Sequence, residues 1–252
     1  MTIPTLALAA LSLLALPAAR LGADPTRADA PAPHLPAPQL TGRVVYEGTP
    51  PLAKVLPGTS EQTKGCCPDG GPVDLKDPTL VIDAKGHIAN VVVTIEVEGV
   101  RAEPAKEPLV VDQKRCVFEP HVAVLHAGSK VRFLNSDTVT HNVRASSLKN
   151  DSFNWVMTPG GKEEVVFQKP DRVTIGCDYH PWMSMIVFVT DTPYHAVTAQ
   201  DGTFSISGLK PGSYKAKLWH EKLGRAEAEV VVRPDGTSEP LLIKMAEKKK
   251  KT

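Results

Sequence analysis

The chain has 252 residues, which is enough for one large domain or two small ones. Its 29 Lys and Arg nearly balance its 28 Asp and Glu, whereas a nucleic-acid-binding protein would carry a basic surplus. Hydrophobic residues make up 42% of the chain, which is sufficient for a core and excludes wholesale disorder.

The N-terminus begins with an apolar run from Ile3 to Ala19. We interpret residues 1–22 as a secretory signal peptide and expect the rest of the chain to be exported, to a periplasm or a cell surface. An uncleaved membrane anchor is the alternative, and we expect membrane association only through such an N-terminus. The Pro/Ala-rich residues 23–39 predict a linker, and residues 247–252 form a charged tail.

Short apolar and β-branched runs bounded by Gly, Pro, Asn or Asp fill most of the remaining chain. They lie at residues 88–98, 122–125, 131–134, 164–167, 173–177 and 186–190, and continue at 203–207, 213–219, 226–232 and 240–245. The one segment that allows a short helix is 146–158. Many short strands at regular spacing predict an all-β sandwich fold.

Four cysteines become interpretable if the chain is exported, because disulfides persist in oxidising compartments. They are Cys66, Cys67, Cys116 and Cys177. Adjacent cysteines rarely reach disulfide geometry, so we expect either Cys66 or Cys67 to pair with Cys116. One cysteine of the neighbouring pair is then spare, and the surroundings of Cys177 indicate another role.

Three metal-binding side chains lie within seven residues, namely Cys177, His180 and Met183. Thiolate, imidazole and thioether are soft or borderline donors that suit copper. His141 follows the strand at 131–134 and is the candidate for a second imidazole, which would complete a type 1 (blue) copper site with Met183 as the axial ligand. Met185 is the alternative axial ligand. The competing interpretations are a structural disulfide through Cys177 and a zinc site, although zinc rarely recruits Met.

This cluster resembles the ligand loop of the cupredoxins, the small blue-copper electron-transfer family. The spacing Cys-x-x-His-x-x-Met is similar to that of amicyanin, and the upstream segments Val131-Arg-Phe-Leu-Asn135 and His141-Asn-Val143 also fit, so the resemblance covers roughly residues 116–190. It implies a Greek-key β-sandwich in which the side chain of Asn135 braces the two ligand loops.

The same resemblance implies how electrons leave the protein. In cupredoxins the edge of the C-terminal histidine ligand reaches the surface within an apolar patch, and here His180, Pro181 and Trp182 would form that surface. Redox partner proteins would dock there through a small, weak interface.

A second, weaker resemblance is to the transthyretin-like module of carboxypeptidase regulatory domains. It involves Asp201-Gly-Thr-Phe204 and Leu209-Lys-Pro-Gly212, with a matching opening segment at 42–50. We therefore predict a copper domain at 113–190 beside a second, smaller β-sandwich built from 191–246, which is either separate or completed by 40–112. Similar pieces occur together in exported methylamine-utilisation-type proteins.

The expected ligand set leaves no open position for a substrate, so we predict one-electron transfer by a single ion alternating between Cu(I) and Cu(II), and no enzymatic activity. The alternatives are a copper-delivery protein and a structural or adhesive sandwich with a vestigial site. We expect only structural roles for the other histidines, which are His34, His87, His121, His126, His195 and His220.

Overall fold

A computed structural model of the protein describes residues 39–67 and 69–247. The predicted signal peptide (1–22), the linker up to residue 38 and the tail from residue 248 lie outside the described residues. Within the described ranges, no helix combines the length and the apolar character needed to cross a membrane.

Nine strands between Leu109 and Thr190 form the first sandwich. A four-stranded sheet in the order β4-β3-β6-β9 faces a five-stranded sheet in the order β5-β11-β10-β7-β8. The strand bounds are β3 Leu109–Lys114, β4 Val117–Glu119, β5 Val122–His126, β6 Lys130–Asn135, β7 His141–Ser146, β8 Phe153–Met157, β9 Lys162–Val166, β10 Asp171–Gly176 and β11 Ser184–Thr190. The pairs β3–β6 and β5–β11 are parallel, so the chain between the two strands of each pair crosses over rather than turning in a hairpin.

Alternation of apolar and polar residues explains how these strands bury one face. In β6 the side chains of Val131, Phe133 and Asn135 point inward, while Arg132 is partly exposed. The inward residues of both sheets meet in one core, to which β3 contributes Val111 and β6 contributes Phe133.

The second sandwich combines the first described strand with strands from the end of the chain. A three-stranded sheet in the order β13-β1-β16 and a four-stranded sheet in the order β12-β2-β14-β15 share a second core. The bounds are β1 Gln39–Tyr46, β2 Val92–Ile95, β12 Tyr194–Val197, β13 Thr203–Ser207, β14 Gly212–His220, β15 Gly224–Val232 and β16 Leu241–Met245. Because β1 pairs with β13 and β16, this sandwich is discontinuous in sequence.

The prediction of an all-β fold is confirmed, and the expected helix within 146–158 is wrong. β7 ends at Ser146, and the carboxylate of Asp171 then accepts hydrogen bonds from the Ser147 hydroxyl and the N–H groups of Leu148 and Lys149. These bonds hold the segment as a loop until β8 begins. The described residues contain one helix, α1 (Ser60–Thr63), which begins with a capping box formed by Thr59 and Gln62.

The close packing of β1 against the turn before β13 predicts how stability depends on Gly202. Gly202 and Gly208 both have φ in the left-handed region, but only at Gly202 would an added Cβ meet backbone, 2.6 Å from the carbonyl oxygen of Val44. We expect both Gly→Ala variants to lose about 1–2 kcal/mol from the backbone conformation. Gly202→Ala should lose about 1–3 kcal/mol more from the clash. Urea unfolding of the two variants measures this difference. Equal losses in the free energy of unfolding would contradict the close approach of the Val44 carbonyl to Gly202.

Candidate metal centre

The predicted donors are brought together at one end of the first sandwich. His141 is the first residue of β7, and Cys177 directly follows β10, which pairs antiparallel with β7. His180 lies in the turn after Cys177. The N–H of Met183 donates to the carbonyl of His180 (2.8 Å), and the N–H of Cys177 donates to the carbonyl of Met183 (3.3 Å), so the turn is closed on itself.

Three of the four predicted ligands converge on one point. The Nδ1 atoms of His141 and His180 are 3.0 Å apart, and the Sγ of Cys177 lies 3.7 Å from Nδ1 of His180. One donor atom from each residue lies within 4.8 Å of the other two. All three side chains are buried, with exposed fractions of 0%, 3% and 6% for His141, Cys177 and His180. Two imidazole nitrogens and one sulfur are a donor set that fits copper.

The surroundings of Cys177 favour its thiolate. Burial raises the pKa of this thiol, but hydrogen bonds from the two histidines and from the backbone N–H of Asn142 (3.5 Å) outweigh burial and lower the pKa to about 6. The thiolate is the form of cysteine that binds metals. The site therefore presents its sulfur ready for a cation near neutral pH.

A buried carboxylate, Asp137, orients His141. Its Oδ2 lies 2.9 Å from Nε2 of His141, and it also accepts the N–H groups of Arg115 (2.5 Å) and Cys116 (2.8 Å). Burial raises the pKa of Asp137, but these hydrogen bonds lower it below the usual value. While His141 is protonated, it can donate from Nε2 to Asp137 and from Nδ1 to the Cys177 sulfur. Once the Nδ1 proton is lost, donation from Nε2 to Asp137 leaves the lone pair on Nδ1 directed at the centre, as is common in metal-binding histidines.

Two asparagines divide the bracing role that was expected of Asn135. The Nδ2 of Asn135 donates to the carbonyls of Val139 and Met157, so Asn135 fixes its own loop to β8. The hydrogen bonds across to the Cys177 loop come from Asn142, which donates to the carboxylate of Asp178 and accepts from its N–H. The difference arises because Asn142 on β7 lies directly beside β10, whereas Asn135 ends β6 in the other sheet.

The two methionines occupy different environments. Met183 ends the ligand turn, whereas Met185 lies on β11 opposite Ile175, on the face that also places Val187 and Val189 in the core. Both are buried. Met183 is therefore part of the loop that carries Cys177 and His180, while Met185 follows the packing alternation of its strand.

The expected surface of His180, Pro181 and Trp182 is wrong in two of its three residues. Pro181 is exposed, but His180 and Trp182 are buried, and the indole N–H of Trp182 donates to the carbonyl of Cys116 (2.9 Å). His180 and Trp182 are buried because another segment of the chain covers them. We call this segment, residues 55–67 and 69–76, the cap. Its side chains Leu56, Val73 and Leu75 pack against the same core.

A disulfide fastens the cap over the site. Cys66 bonds to Cys116, which confirms the prediction of a disulfide, and Cys67 is free. The sulfurs of the disulfide and a ring nitrogen of His180 lie within 4.8 Å of one another. The hydroxyl of Thr138 also donates to the carbonyl of Gly65, which ties the cap to the loop before His141.

Sequence reasoning missed Asp137, Asn142 and the cap. Asp137 precedes His141 by four residues and Asn142 follows it directly, so both were visible as polar residues next to a candidate ligand. The cap gave little signal because it is polar and lacks strand periodicity.

Solved structures with some likeness to this chain include copper proteins. A Cu-containing nitrite reductase from Thermus scotoductus SA-01 is 23% identical over 38% of this chain, with a TM-score of 0.32, and the match spans 25% of its own length. A purple cupredoxin from Nitrosopumilus maritimus is 21% identical over 32% of this chain and 99% of its own (TM-score 0.29). Amicyanin from Paracoccus versutus is 21% identical over 39% of this chain and 97% of its own (TM-score 0.30).

No protein-family model matches the chain. The search of curated proteins also finds no match. Since the TM-scores are low, any functional assignment depends on the residues of this chain.

The disulfide leads to a prediction about the cap. Replacing both Cys66 and Cys116 by Ala should lower the free energy of unfolding by about 2–4 kcal/mol, because a cross-link between residues 50 positions apart is lost. It should also speed amide hydrogen exchange in the turn from Cys177 to Met183, which the cap no longer covers. Cys67→Ala is the matched control and should change neither quantity. Unaltered exchange in the double variant would show that packing alone keeps the cap closed.

Proposed function

We propose that this protein carries single electrons by means of one type 1 copper ion held by His141, Cys177, His180 and an axial Met183. The observation that carries the proposal is the convergence of two imidazole nitrogens and a thiol of lowered pKa in one buried space. Bound copper would supply one-electron redox chemistry, alternating between Cu(I) and Cu(II). The chain's own part is to hold the donors rigidly, so that little rearranges when the charge changes.

Burial of the site favours electron transfer over the other candidate functions. A copper-delivery protein must exchange its metal readily, whereas here three ligands are buried beneath a disulfide-fastened cap. A catalytic metal needs an open coordination position that a substrate can reach. A ligand set that is almost completely buried is better suited to electron transfer than to binding a substrate or exchanging the metal.

The proposed partners are redox proteins that make weak, short-lived contacts. Because the cap covers His180, we place their approach on the other side of the turn, at the exposed Pro181. A cavity of about 290 Å³ lies beside it, with Gly176, Cys177 and Asp178 in its wall. A partner seated there would come close to the metal-binding sulfur without displacing the cap.

Visible absorption after addition of one molar equivalent of Cu(II) tests the proposal. We expect an intense band from charge transfer between thiolate and copper, and we expect Cys177→Ser to abolish it. Cys67→Ser removes the other free thiol and should leave the band unchanged. A folded, colourless wild-type protein would refute electron transfer, and a band that survives Cys177→Ser would refute the ligand assignment.

The axial ligand can be assigned with two matched variants. Met183→Leu should alter the absorption spectrum and raise the reduction potential, because losing a thioether donor disfavours Cu(II) more than Cu(I). Met185→Leu is a similar change in the core and should leave both quantities close to wild type. The opposite pattern, measured by spectroelectrochemistry, would assign Met185 as the ligand.

A further inference from the structure

A second pair of histidines meets where the two sandwiches touch. His126 ends β5 of the first sandwich, and His195 lies on β12 of the second, and these strands are in contact. The Nε2 atoms of the two rings are 3.0 Å apart, and the rings are 5.0 Å apart, edge to face at 76°. Both residues are partly exposed, so small ions can reach them from solvent.

The hydrogen-bond pattern leaves both Nε2 atoms available to a shared cation. Nδ1 of His126 lies 3.2 Å from the carbonyl oxygen of Glu103, which can only accept, so Nδ1 carries the proton of a neutral His126. The lone pair of its Nε2 then faces His195. Burial, together with the neighbouring His126, lowers the pKa of His195 to about 4. Neutral imidazole is the form that binds metals.

This spacing equals that of the two imidazole nitrogens at the candidate metal centre, where Nδ1 of His141 and Nδ1 of His180 are also 3.0 Å apart. The two places are well separated. His126 lies opposite Thr190 at the far end of β11, whose first residue follows the ligand turn, and a strand of that length spans about 20 Å. The second pair therefore does not belong to the centre already described.

The number of donors decides which ion the pair can hold. Among the described residues, no third His, Cys, Asp or Glu donor forms a compact group with His126 and His195. Zinc sites in proteins use three or four protein ligands. Cu(I), a monovalent d¹⁰ ion, is satisfied by two imidazoles in a line. Two metal–nitrogen bonds of about 2 Å each require the Nε2 atoms to lie about 4 Å apart, so partly exposed rings need to separate by only about 1 Å.

We propose that His126 and His195 form a second metal site, a two-coordinate Cu(I) site that bridges the two sandwiches. It is independent of the proposed electron-transfer centre, because it uses none of the same residues. When Cu(I) binds, the proton that His195 places on Nε2 would move through solvent to Nδ1 of the same ring. Both rings would then stay neutral, and the two Nε2 lone pairs would hold Cu(I) and join β5 to β12. The site would give the chain capacity for a second copper ion and would stabilise the interface when loaded.

The test uses a background in which neither free thiol competes for the metal, Cys67→Ser with Cys177→Ser. Cu(I) is added without oxygen, with ascorbate as the reductant so that the Cys66–Cys116 disulfide stays intact, and its affinity is measured by competition with a chromogenic Cu(I) chelator. We expect His126→Gln and His195→Gln each to weaken one Cu(I)-binding event by about tenfold or more. His87→Gln, at a histidine paired with Asp83 in a turn, is the matched control and should bind like the background.

A measurement on the background protein itself guards against variants that fail to fold. Cu(I) is diamagnetic, so ¹⁵N NMR can follow the imidazole nitrogens during its addition. The Nε2 resonances of His126 and His195 should shift together with one equivalent of metal, whatever happens at His141 and His180. Unshifted resonances, or affinities unchanged in both Gln variants, would overturn the proposal and leave a simple hydrogen bond. Binding of Zn²⁺ in place of Cu(I) would overturn the assignment of the ion.

Discussion

The candidate centre depends above all on one buried carboxylate. Asp137 is 4% exposed, and such a group is tolerated only when donors surround it. Its donors are the ring of His141 and the backbone N–H groups of Arg115 and Cys116. Because Cys116 is also bonded to Cys66, a single side chain connects the orientation of a candidate metal ligand to the anchor of the cap. Neither the ligand loop nor the cap can move far without leaving this charge unsatisfied.

Strand β11 packs against both sandwiches. Its residues Met185, Val187 and Val189 fill the core of the first sandwich, while Ile186 and Phe188 on the opposite face meet Val92 and Trp219 of the second. A strand buried on both faces needs an unbroken apolar run, which is what the sequence from 185 to 189 contains. β11 therefore belongs to a sheet of the first sandwich and packs against the second sandwich with its other face. It begins after the turn that carries His180 and ends beside the His126–His195 pair.

The sequence predicted the strands, and it also indicated which side chains would converge at the candidate centre, because both depend on local patterns. Alternation in β6 and the spacing from Cys177 to Met183 can be read without knowing the register. Pairwise contacts made by distant parts of the chain could not be read in this way. His126 and His195 are 69 positions apart, and they meet only because β5 and β12 pack at the interface between sandwiches. The burial of Trp182 likewise depended on the cap, whose residues carry no periodic signal.

The cap changes what the ligand arrangement can achieve. An imidazole at the surface is free to turn toward water when no metal is bound, whereas His180 is enclosed by the disulfide and the core. The chain meets the entropic cost of ordering these side chains when it folds, before any ion arrives. A preorganised site of this kind would hold a bound ion in a geometry set by the protein. The same enclosure leaves only 6% of His180 exposed, so the rigidity of the site and the approach that we propose for a partner, at Pro181, have one structural origin.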